Sequence, residues 1–162
     1  MGRKILRVGP EPYQVLLLKT TSNFLMAGLM ELVAEAHVLA EKTGLGSAPL
    51  EELLKENFGP VIYTDSIRMT TGVYAPPIGE KPWSEVGLAI KDVGHDVEMA
   101  EQCGCSLPAG ELALRHLKQA KLWGDKEGRS LDSTSVYGIV REEAGLDFET
   151  DLVKEKCRSR KD

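Results

Sequence analysis

An all-α helical bundle built around one long helix, with a single short strand at its front, is the fold class this sequence predicts. Three observations carry the prediction. Helical signal runs unbroken from Tyr13 to Lys42, a rod of roughly 45 Å at 1.5 Å per residue. Later segments are punctuated by glycine and proline at helix ends rather than by hairpin turns. Only residues 4–8, "KILRV", read as strand. A chain of 162 residues is about one domain and can bury enough surface to fold without staples.

Taken in order, the strand is stopped by Gly9, Pro10 and Pro12. The long helix ends at Gly44 and Gly46, which accept the left-handed turn of a helix C-terminus. "SAPLEELLKENFG" restarts helix with Ser47 as N-cap and Pro49 in the first turn. "PVIYTDSIRMTTG" reads as a helix or a helix and turn. "VYAPPIGEKPW" is a loop, since three prolines and a glycine deny it both ladders. A further helix follows from Ser84 as N-cap, with apolar positions at Val86, Leu88, Ala89, Ile90, Val93, Val97, Met99 and Ala100. Pro108 opens another, closed by Gly124. A loop and a short helix complete the ordered part, and "TDLVKEKCRSRKD" reads as a frayed tail. The division expected is residues 1–9 as strand and linker, 10–145 as helical domain and 146–162 as tail.

With 42% hydrophobic residues and a net charge of −5, the composition is ordinary and lacks the basic excess of a nucleic-acid binder. Three cysteines make no disulfide framework, and Cys103 and Cys105 are closer together than the C-x-x-C spacing of metal and redox sites, so free thiols in a reducing compartment are expected. The longest apolar run is broken by Lys19, Asn23 and Glu31, so no membrane span is expected. The first residues lack the apolar core of a secretion signal, which points to a cytoplasmic location, with a mitochondrial one as the other compartment that fits.

The long helix is apolar on nearly every side from Val15 to Met30, and Lys19 is the one full charge there. An ordinary surface helix confines its apolar residues to one stripe. Lys19 and Asn23 stand at i and i+4 and so share a face one turn apart. Two readings stay open on spacing alone. Lys19 either snorkels its ammonium to solvent, or sits desolvated with a depressed pKa and serves as a general acid or base. Lys91 and Asp92, adjacent on their helix and pointing about 100° apart, read as a solvated face or as residues lining a cleft, and not as a mutual salt bridge. His95 and Asp96 have no helical partner for a metal, and Trp83 with its prolines reads as a plain connection or a docking loop.

Together these pieces resemble the C-terminal, all-helical domain of the β-hydroxyacid dehydrogenases, the family of 3-hydroxyisobutyrate and 6-phosphogluconate dehydrogenases. "ILRVGP", then Lys19 with Asn23 four residues on, is similar to the family's last Rossmann strand and the catalytic helix after it. "LAIKDVGHDVEMAEQCGCSLPAGELALRHLKQA" resembles its Lys-Asp-hydrophobic-Gly helix and the Leu-Pro step that opens the next. The likeness reaches to about Gly145. It implies a substrate-binding and dimerisation domain of a NAD(P)-dependent enzyme acting on a small hydroxy acid. Lys19 would move the proton of the substrate hydroxyl or carbonyl. Asn23 would orient that lysine or the substrate carboxylate, and Lys91 and Asp92 would line the cofactor side of the cleft.

In this resemblance the strand at the front is what remains of a Rossmann domain otherwise absent. No G-x-G-x-x-G fingerprint occurs anywhere in the chain, so by itself it is not expected to bind NAD or NADP or to turn over substrate. The chain would then be a fragment or a truncated product. Where the family places glycines before the lysine, "EPYQVLLL" brings Glu11 and the bulk of Leu17 and Leu18, which points to an unusual substrate or a diverged, inactive member. The apolar surface around Phe24, Met26 and Leu29 predicts a homodimer through the long helix. A helical dimerisation module without enzymatic activity is the rival reading.

Overall fold

A computed structural model describes residues 4–159. Among these, seven α-helices pack as an all-α bundle: α1 (Pro12–Lys42), α2 (Ser47–Asn57), α3 (Gly59–Thr70), α4 (Val86–Gln102), α5 (Pro108–Lys126), α6 (Val136–Glu143) and α7 (Asp151–Arg158). A 3-10 turn, Ser133–Ser135, leads into α6. The central element is α1, which packs against α4, α5, α6 and α3.

Pro12 occupies the first turn of α1, where its missing N–H costs nothing, and Gln14 Oε1 accepts the Glu11 N–H at 3.1 Å. The helix ends where Gly46 turns back to donate to the Ala40 carbonyl, with Gly44 and Gly46 both at φ 76°. Its inner face, Ala27, Met30, Ala34 and Val38, repeats at three and four residues and is 6% exposed or less. Each large side chain so buried contributes about 1.5–3 kcal/mol. Its outer face is also apolar. Leu18, Leu25, Leu32 and Leu39, seven residues apart, are 44%, 55%, 62% and 65% exposed. The first turns, Val15 to Leu18, are exposed all round. By length and composition α1 is apolar enough to cross a membrane, and 44% of its most apolar window is buried inside the bundle.

Deep pairs tie the other helices to α1. His116 Nδ1 on α5 lies 2.7 Å from Glu31 Oε1 on α1, both nearly inaccessible, with Glu143 of α6 3.3 Å from the other ring nitrogen. The Glu31 hydrogen bond raises the His116 pKa above its ordinary value, against burial. His37 on α1 meets Ser66 on α3 at 2.8 Å, and burial lowers its pKa. At the far side Trp123 stacks on Phe148 with centroids 3.9 Å apart.

Four sequence expectations need correction. Residues 4–9 form no strand; a β-ladder needs a second chain segment, and the only β pairing among the described residues is an isolated bridge between Glu85 and Asp132. Ser47 is the first residue of α2, whose N-cap is Gly46. The N-cap of α4 is Glu85, whose carboxylate accepts from the Leu88 N–H at 3.2 Å, while Ser84 gives its own N–H to Asp132. The tail is no frayed end: Thr150 caps α7, Val153 inserts into the core at 1% exposure, and Lys156 reaches the Thr71 carbonyl at 2.7 Å.

Candidate functional site

A cleft of about 320 Å³ opens between α1, α3, α4 and the 3-10 turn. The α1 wall is Asn23, Met26, Ala27 and Met30, the same i, i+3, i+4, i+7 stripe that enters the core. The α4 wall is Leu88, Ala89, Asp92 and Val93. Asp65 and Arg68 of α3 and Ser133 of the turn close it.

Asp96 holds α4 to α1 at the Asn23 end. It is 1% exposed, and its Oδ2 accepts the Phe24 N–H at 3.0 Å. Burial pushes its pKa up, opposed by the hydrogen bonds from Phe24 and Thr20. At the opposite end Asp132, fully buried, gathers four donors: Arg68 Nη2 at 2.5 Å, Ser84 N–H at 2.8 Å, Thr134 N–H at 3.0 Å and Thr134 Oγ1 at 2.6 Å. The Val86 N–H to the Leu131 carbonyl and the Ser133 N–H to the Ser84 carbonyl complete this knot. It fixes the start of α4 against α3 and the turn, and therefore sets the width of the cleft.

Arg68 Nη1 also pairs with Asp65 Oδ1 at 2.9 Å, and Nη2 reaches Ser133 Oγ at 2.9 Å. Burial raises the Asp65 pKa while Arg68 counteracts it. Asp65 Oδ2 and Arg68 Nε have no hydrogen-bond partner among the described residues.

Of the four residues singled out from sequence, the structure brings Asn23 and Asp92 together as two walls of this cleft. Lys19 is exposed and is not among the lining residues. Its position one turn before Asn23 continues the α1 stripe past the cleft toward the uncovered first turns. The desolvation considered for Lys19 is thus not provided by the described residues. Lys91 points outward, its side chain 58% exposed, and does pair with Asp92 at 2.8 Å. That corrects the expectation of no mutual salt bridge, because a long lysine curls around the helix to its neighbour. Met26 faces the cleft, so the outward apolar surface of α1 is the Leu18 to Leu39 ladder rather than Met26. Asp65, Arg68 and Asp132 were missed; the one available signal was the Asp-Ser-Thr-Ser run at 132–135, a strong capping pattern. His95 is exposed, and no group of three His, Cys, Asp or Glu able to hold a metal occurs among the described residues. Cys103, Cys105 and Cys157 are free thiols.

The family model for the NAD-binding domain of NADP-dependent 3-hydroxyisobutyrate dehydrogenase matches residues 16–140. The chain belongs to the β-hydroxyacid dehydrogenase family. Among curated relatives, it is 38% identical over 144 residues to the NADH-dependent oxidoreductase ucdB of Aspergillus ustus, covering 88% of this chain and 48% of that protein. It is 30% identical over 144 residues to 3-hydroxyisobutyrate dehydrogenase of Pseudomonas aeruginosa, covering 87% and 48%. The crystal structure of a Salmonella typhimurium 3-hydroxyisobutyrate dehydrogenase superposes with a TM-score of 0.69 at 21% identity, over 82% of this chain and 44% of that one. The fold is thus the helical domain of this family, and the chain spans about half the length of the curated relatives it matches.

Tested against a dinucleotide, the described residues fit in part. They contain no strand followed by a glycine-rich turn to cradle a pyrophosphate, while Asn23, Asp92, Arg68 and Ser133 offer polar groups around the cleft.

Proposed function

We propose that this chain is the substrate-binding and dimerisation half of a NAD(P)-dependent dehydrogenase acting on a hydroxy acid or its carbonyl form. The observation that carries it is the cleft itself, which gathers Asn23 and Asp92 from distant parts of the motif order. When bound, the nicotinamide supplies the hydride acceptor or donor. Lys19 takes or returns the proton on the substrate oxygen. Asn23 orients that lysine or the substrate carboxylate from the next turn. Asp92 forms the far wall toward the cofactor, with Lys91 paired to it from the outer side. The uncovered turn Val15 to Leu18 supports the view that another domain or subunit lies over Lys19 and desolvates it. The Leu18 to Leu39 ladder supports a homodimer. The absence of a basic surplus in the composition supports a small molecule rather than nucleic acid as ligand, and a cytoplasmic setting fits the free thiols.

The test joins this chain to a nucleotide-binding half and follows nicotinamide absorbance with hydroxy acids. Lys19→Ala lowers turnover roughly 10²–10⁴-fold with a smaller change in substrate binding, the range for loss of a general acid or base. Near-normal turnover in that variant would return Lys19 to a snorkelling residue. Calorimetry of NADH and NADPH on the chain alone gives weak binding; tight binding would place the cofactor site elsewhere than proposed.

A further inference from the structure

Asn23 and Met30 both line the cleft, and seven residues of helix separate them by about 10 Å. Met30 Sδ receives the Ser133 hydroxyl at 3.9 Å, and Ser133 Oγ accepts from Arg68 Nη2. The Arg68 end of the cleft is therefore two helical turns away from the Asn23 end. A ligand anchored at Asn23 reaches it only with a chain longer than that of a four-carbon hydroxy acid.

What waits at that end is specific. Of the two carboxylates paired with Arg68, Asp132 is saturated by four donors. Asp65 is not. It is 2% exposed, with Oδ1 taken by Arg68 and Oδ2 unpartnered in the cleft wall. Arg68 Nε, an unused donor, belongs to the same ion pair. A buried acceptor and a buried donor, each without a partner on the two members of one ion pair, favour a group that both gives and takes a hydrogen bond, and a hydroxyl does both with one oxygen. A methyl group does neither. A carboxylate would meet Asp65 and Asp132, two acids against the single charge of Arg68.

We propose that Asp65, with Arg68, is a specificity residue that selects substrates carrying a hydroxyl at the end remote from the reacting carbon. This rests on the substrate-domain reading above and deepens it.

The experiment titrates the 162-residue chain with 3-hydroxyhexanoate, 3,6-dihydroxyhexanoate and 3-hydroxyadipate, which differ only in a distal methyl, hydroxyl or carboxylate. Backbone amide shifts of residues lining the cleft report binding. The dihydroxy acid is expected to bind about tenfold or more tightly than the other two, because a site built to pair a hydroxyl discriminates against analogues lacking it. Asp65→Ala brings the hydroxyl and methyl ligands to within about twofold, and Asp65→Asn selectively improves binding of the adipate by removing a negative charge. Melting curves check that each variant folds; if Asp65→Ala does not, the wild-type order and Asp65→Asn still decide. Equal binding of hydroxyl and methyl ligands, or a preference unchanged in the variants, overturns the role of Asp65 while leaving the cleft as a substrate site. No shift of cleft residues with any of the three acids overturns the substrate-domain reading itself.

Discussion

Replacing Asp132 by alanine tests how the cleft is held open. The carboxylate is completely inaccessible and accepts from Arg68, from the Ser84 N–H and twice from Thr134. Truncation strands a guanidinium whose other carboxylate partner is Asp65 and leaves the Ser84 N–H without its acceptor. Breaking a buried ion pair by removing one partner costs about 3–5 kcal/mol, and a domain this size has only about 5–15 kcal/mol in total. At about 2–4 °C per kcal/mol, the melting temperature drops by roughly 6–20 °C. Circular dichroism and calorimetric melts measure it. Asp132→Asn, which keeps one acceptor oxygen, falls in between. The double variant Asp132→Ala with Arg68→Met loses less than the sum of the two singles, since the Arg68 to Asp132 contact is lost only once, although Asp65 is then left without its cation. A melting temperature within about 3 °C of wild type for Asp132→Ala would refute the knot as the element that joins α3, α4 and the turn.

Other perturbations follow the same logic. In Gly124→Ala the new Cβ stands 2.7 Å from the Arg129 carbonyl oxygen, backbone that cannot swing away, and thermal melts show a loss of about 1–3 kcal/mol. The folded-state pKa of His116 is raised by Glu31, with Glu143 adding to the rise and Arg115 opposing it. Its stabilisation is therefore full below the unfolded histidine pKa and is lost as pH rises through the folded value, so melts from acid to mildly basic pH decline on the high side. His116→Gln flattens that decline; an unchanged profile would remove the pair as its cause. For the proposed homodimer, Leu32→Glu, at a site 62% exposed, leaves the fold intact and shifts the species seen by light scattering from dimer to monomer.

The long helix, its glycine stop and the proline start of α5 were legible because each depends on residues close in sequence. The strand at residues 4–8 was misread because β-propensity describes a side chain's fit to a sheet, and the described residues hold no sheet. The last helix was taken for a frayed end because five charged residues from Asp151 to Arg158 outweigh Leu152 and Val153 in a linear reading. In space Val153 enters the core and Cys157 packs against it, which anchors the helix. At α4, Ser84 was expected to cap, but Asp132, 48 residues away, takes the Ser84 N–H and the cap falls one residue later, on Glu85. The same separation explains the site. Asn23 and Asp92 could be singled out by motif, but the Arg68 to Asp132 contact spans 64 residues and leaves no local pattern. Lys19 was legible as an anomaly, while its surroundings depend on what covers the first turns of α1.

The leucine ladder on α1 repeats at seven residues, whereas a straight helix turns once in 3.6, so a stripe through Leu18, Leu25, Leu32 and Leu39 drifts about 20° per repeat around the rod. A helix laid along it keeps contact with all four leucines only by winding around α1 with a left-handed twist, at a crossing angle near 20°. The ladder thus fits a long helix wound along most of α1 rather than a globular tip, and for the proposed homodimer it predicts a melting temperature that rises with protein concentration.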